Sequence, residues 1–98
     1  MNGRGTIDKI NENSVRVTMF PNFLMSQPAF VRRGDVPEPI FPGMDVREMI
    51  ATVAWAQLAY KAPKLFSLEF RQKTVQFENG VFVVNFTKDL FGFLPPFP

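Results

Sequence analysis

Residues 42–63 read Pro-Gly-Met-Asp-Val-Arg-Glu-Met-Ile-Ala-Thr-Val-Ala-Trp-Ala-Gln-Leu-Ala-Tyr-Lys-Ala-Pro, the only long helical pattern in the chain, and everything else must be arranged around it. Its start is marked three times. Asp45 can accept from the free amides of a first turn, Glu48 follows three residues later as in a capping box, and Met44 can fold back on Met49 as a hydrophobic staple. Alanines, a leucine and a methionine supply helix propensity, and Pro63 disfavours helical geometry in the residue before it. The spacing predicts a continuous helix over residues 45–61, with Lys61 and Lys64 at the negative end of its dipole.

At 100° per residue, Val46, Met49, Ile50, Val53, Ala56 and Tyr60 form one apolar stripe, the ordinary core-facing pattern. Ala51, Trp55 and Leu58 form a second stripe on nearly the opposite side. A helix apolar on two faces needs two covers, either more of its own chain or another subunit.

A chain of 98 residues makes one domain with a modest core, in which one helix and a small sheet must share the buried space. Twelve phenylalanines and nine prolines point to aromatic packing joined by stiff, extended connections. With neither cysteine nor histidine, the chain has no disulfide framework, no thiolate metal site, no imidazole general base and no triad built on either residue. A net charge of +2 is too small to mark a dedicated nucleic-acid binder. No apolar run is long enough to cross a bilayer and no signal-like start is present, so the expectation is a soluble protein, cytoplasmic or inside an assembled particle, with no membrane partner.

Two hairpins are expected. In residues 5–20, Val15 and Val17 alternate with Arg16 and Thr18, and Asn11-Glu12-Asn13-Ser14 has turn composition. A loop at Glu12-Asn13 would set Ile10 against Val15, Asp8 against Val17, and Lys9 against Arg16, the last an unfavourable pair of like charges. Residues 65–87 carry the clearer sheet signal. Asn79-Gly80 is the preferred two-residue hairpin turn, and it sets Glu78 against Val81, Phe77 against Phe82, and Val75 against Val84. Upstream the apolar residues Phe66, Leu68 and Phe70 are even-numbered, whereas Val75 and Phe77 are odd. That change of phase requires either a bulge near residues 71–74 or a strand buried on one face at each end.

Residues 21–42 contain five prolines. Only Ala29-Phe30-Val31-Arg32 has the make-up of a strand, and the remainder reads as extended surface loop. Phe23, Leu24, Met25, Phe30, Ile40 and Phe41 are too apolar for a solvated linker, so they must lie against this domain or a neighbour. The expected fold is a small α+β domain over residues 1–89, two β-hairpins around one helix in the order ββ, a weak third strand, α, ββ. Its core is expected at Val46, Met49, Ile50, Val53, Tyr60, Val75, Phe77, Phe82 and Val84. Residues 90–98, rich in Phe and Pro, read as an extended docking tail, since such a segment suits an aromatic-lined groove.

Signals of chemistry are few. The nine carboxylates are scattered, and most have structural explanations as caps, turns or strand-surface charges. With no carboxylate cluster and no glycine-rich phosphate loop, no enzymatic site and no cofactor are expected. Arg33-Gly34-Asp35 reads as a charged turn, and the sequon Asn85-Phe86-Thr87 falls within an expected strand. The order of elements also resembles an OB-fold barrel, in which Arg16, Arg32, Arg33, Arg71 and Lys73 beside Phe20, Phe23, Phe30 or Phe70 would bind single-stranded nucleic acid. The leading expectation is instead a non-enzymatic structural or adaptor subunit acting through protein–protein assembly, a homo-oligomer or part of a larger particle such as a virus. Its expected contacts are Phe23, Leu24 and Met25 in the loop, Trp55 and Leu58 on the helix, and Phe91, Phe93, Leu94 and Phe97 in the tail.

Overall fold

The computed structural model describes residues 5–33, 36–41 and 43–88. In chain order these form β1 (Gly5–Asn11), β2 (Ser14–Met19), α1 (Pro21–Met25), β3 (Phe30–Arg33), β4 (Val36–Pro39), α2 (Val46–Lys61), β5 (Phe70–Glu78) and β6 (Val81–Lys88). The fold is a small α+β arrangement with one main helix. A four-stranded antiparallel sheet runs in the order β1-β2-β6-β5, and β3 and β4 make a separate two-stranded sheet. β1 and β5 are edges that do not meet, so the described strands do not close the barrel raised as an alternative.

The long helix occupies the residues its local signals mark. The Asp45 carboxylate accepts from the backbone N–H groups of Arg47, at 2.9 Å, and Glu48, at 3.4 Å, and the helix ends at Lys61, two residues before Pro63. The expected capping box is not closed, because the Glu48 side chain does not accept from the Asp45 N–H. The Glu48 carboxylate lies 3.1 Å from the ammonium of Lys73 on β5.

The face that α2 buries differs from expectation. Its buried residues are Ile50, Ala51, Ala54 and Leu58, a single face lying between the two expected stripes, and Trp55 is partly buried at its margin. Tyr60, expected in the core, is 81% exposed. The reason lies in size. Ala51 and Ala54, with the smallest side chains on the helix, are 2% and 0% exposed and join Ile50 and Leu58 in the core. The core they help form joins Val15, Val17 and Met19 of β2 to Val84 and Phe86 of β6, with Leu24, Phe30 and Phe70.

The second hairpin has the expected register. Asn79 (φ 51°) and Gly80 (φ 80°) both take the left-handed conformation of a type I′ turn, and Phe77 pairs with Phe82 and Val75 with Val84. Arg71 is the extra residue of a bulge between Phe70 and Gln72, which accounts for the phase change. The strand begins only at Phe70, because residues 62–66 form a turn in which Leu65 N–H donates to the Ala62 carbonyl at 2.9 Å. Phe77 pairs as expected yet is 61% exposed, since it lies on an edge strand near the turn.

The first hairpin turns at Glu12-Asn13, with Asn13 N–H donating to the Asn11 side-chain oxygen at 2.8 Å. A bulge at Ile10 shifts the register by one residue, so Lys9 faces Val15 and Asp8 faces Arg16. The expected pair of like charges is thereby replaced by one of opposite charges. Lys9 donates to Glu12 at 2.9 Å, and this hydrogen bond, together with the charge of Lys9, holds the Glu12 carboxyl below the usual carboxylate range.

The described residues between Pro21 and Phe41 form more regular structure than their prolines suggested. Pro21 occupies the first turn of α1, where its missing N–H costs nothing, and the helix seats Leu24 in the core with no exposed surface. In β4, Pro37 and Pro39 face Arg32 and Phe30. Ile40 N–H donates to the Ala29 carbonyl, which places the two prolines at alternate positions whose nitrogens point away from β3. A loop reading missed this strand because proline opposes pairing only where an N–H is needed. Arg32 donates to the Asn22 side-chain oxygen at 2.6 Å and ties the small sheet to α1.

Candidate functional site

Two surfaces stand out where α2 meets the open edge of the sheet and where the small hairpin leads into α2. In the first, Trp55 sets its ring edge-on against Phe66, at 4.7 Å between centroids, and Phe86, at 5.4 Å. Phe70 stands 6.4 Å from Phe86. The β5–β6 register places Lys73 opposite Phe86, on the side of the sheet that faces the helix, where Glu48 receives its ammonium. Trp55, Phe70, Lys73 and Phe86, with Ala51, Thr52 and Arg71, line a cleft of about 250 Å³. Lys73 also lines a wider groove of about 700 Å³ that continues along β5 between Arg47 and Phe77.

β5 could pair with any extended chain on its outer side, and two features blunt it. The bulge at Arg71 interrupts the ladder, and Lys73 is a charge pointing inward from an edge strand. The cleft is therefore suited to side chains rather than to strand addition at that end.

The second surface is the approach to α2. Val36 is 55% exposed, Ile40 46%, Phe41 64% and Met44 42%. Val36 on β4 and Ile40 just beyond its end, where the Ile40 N–H still pairs with the Ala29 carbonyl, share the outer side of the small hairpin, because residues four apart along an extended chain point the same way, while Pro37 between them is buried. Four large apolar groups within nine residues of chain is more than scattered surface hydrophobicity.

The residues singled out from sequence divide accordingly. Leu24 and Leu58 are fully buried in the chain's own core, Phe23 and Trp55 are partly buried against it, and Met25 is partly buried. Phe91, Phe93, Leu94 and Phe97 lie outside the described residues. The basic residues are dispersed. Arg16 is on the open face of the sheet, 3.4 Å from the Asn85 side-chain oxygen, Arg32 is on the small hairpin, and Arg71 and Lys73 are at the cleft. Arg33 contributes backbone to β3. Phe30 and Phe70, named as stacking platforms, are buried in the core.

Among the described residues no group of three or more acidic, cysteine or histidine side chains is placed to hold a metal ion, and no helix is long and apolar enough to cross a membrane. The exposure of Ile40 and Phe41 was foreshadowed by their apolar character in a proline-rich stretch. Val36 and Met44 went unnoticed as surface groups because each has an ordinary local role, in a strand and before a cap. The inward direction of Lys73 was available from the Asn79-Gly80 register, which puts odd-numbered residues of β5 on the helix side. Compared with known proteins, the chain matches no family model, no curated protein and no solved structure.

Proposed function

We propose that this chain is a non-enzymatic structural or adaptor subunit that works by assembling with copies of itself, alone or within a larger particle. The observation that carries the reading is the exposed apolar run of Val36, Ile40, Phe41 and Met44. A two-stranded sheet is marginal in water without cover on its apolar side. α1 and α2 cover one side of β3 and β4, leaving Val36 and Ile40 outside. A second copy can supply the missing cover with the same patch, since a twofold contact needs only one self-complementary surface. Phe41, the most exposed of the four, is the expected hot spot.

Sedimentation of the full chain over a range of concentrations tests this. The expected result is a mass above that of one chain, with Phe41→Ala weakening association by about 2 kcal/mol or more, roughly 30-fold. A chain that remains monomeric at high concentration overturns the proposal.

A further inference from the structure

The cleft around Trp55 has a candidate occupant within the chain. β6 ends at Lys88, which pairs with Phe70, and Phe70 and Phe86 both line the cleft. The ten residues that follow, Asp89-Leu90-Phe91-Gly92-Phe93-Leu94-Pro95-Pro96-Phe97-Pro98, lie outside the described part, and Lys88, the described residue before them, pairs with a residue that lines the cleft. We propose that this segment docks in cis, placing Phe91 or Phe93 against the accessible part of Trp55.

Reach, chemistry and competition all favour that assignment. An extended chain covers about 3.3 Å per residue, so Phe91 is within roughly 10 Å of Lys88 and needs no long excursion to enter. Phe91 and Phe93 are two apart and fall on the same side of an extended segment, with Gly92 between them adding no bulk. Trp55 is the partly exposed aromatic of the cleft, backed by the buried Phe70 and Phe86, an aromatic surface of the kind against which a Phe/Pro segment docks, and the prolines further on reduce the entropy lost on ordering. Arg71 lines the cleft beside Lys73, whose charge is already met by Glu48, and Asp89 is the first residue after the strand, so Arg71 supplies a complementary charge where the segment enters. A short tether gives an effective concentration in the millimolar range, which outcompetes a second copy at ordinary protein concentrations. Docking in cis is independent of self-assembly through the 36–44 surface, and either can fail without the other.

Trp55 is the chain's single tryptophan, so its indole N–H gives one resonance and its emission one signal. The full chain is compared with the variant Phe91→Ala/Phe93→Ala and with a chain ending at Lys88, from roughly 1 to roughly 100 μM, a range below the effective concentration of the tether. The expected result is a shift of the indole resonance and a longer emission wavelength in both altered chains, at every concentration, while resonances of β1 and β2 stay in place and show that the fold persists. An indole resonance and emission identical in the full chain and the Phe91→Ala/Phe93→Ala variant overturn the proposal. A difference that disappears on dilution together with the dimer mass overturns it too, because the tail then docks in a second copy.

Discussion

The tightest constraint at the scale of single residues is at Gly5. Its φ is +119°, and a Cβ there would overlap the carbonyl oxygen of Thr18 on the neighbouring strand. Only glycine combines that backbone conformation with so close an approach of β1 to β2. Gly5→Ala is expected to cost about 2 kcal/mol or more, read as a lower midpoint in urea, because β1 must move off β2 to admit the methyl group. An unchanged midpoint would mean that the pairing of Gly5 with Met19 contributes nothing to the folded state. The pair Lys73–Glu48 has a different meaning at the same scale. Both side chains are substantially exposed, so the pair adds little stability, and its significance is that it turns a lysine inward beside the aromatic cleft.

Among the elements, α2 was legible from local chemistry, and its start can be tested locally. The Asp45 side chain satisfies two amides that have no partner within the helix. Asp45→Ala is expected to cost about 1 kcal/mol, and Asp45→Asn only a small part of that, measured by thermal unfolding. Equal losses in the two variants would indicate that the charge at the helix start matters more than the cap. The hairpin of β5 and β6 was equally legible, because Asn79 and Gly80 favour a turn that sets the register of every pair beyond it. By contrast α1 and β4 were hidden by proline. Pro21, Pro37 and Pro39 sit where no backbone donor is required, and nothing short of the strand partner tells such a position from a disruptive one.

For the molecule as a whole, the decisive question is which side of α2 meets the sheet. Leu58 is fully buried and Tyr60, two residues on, is 81% exposed. Leu58→Ala is therefore expected to cost about 2–5 kcal/mol, whereas Tyr60→Ala stays within about 0.5 kcal/mol, both from urea midpoints. The reverse order would restore the stripe read from periodicity. That stripe misled because periodicity counts apolar residues without weighing the size of each side chain. The sequence alone determined the limits of α2, the Asn79-Gly80 hairpin and the need for a change of phase upstream, since capping bonds, proline sterics and left-handed turns act within a few residues. Only the tertiary structure decided that Ala51 and Ala54 face the sheet, that the change of phase is a bulge at Arg71, and that Ile40 and Phe41 lack a cover among the described residues. Those outcomes depend on close packing between segments distant in sequence, where the size of a side chain and the position of its neighbour matter more than its hydrophobicity.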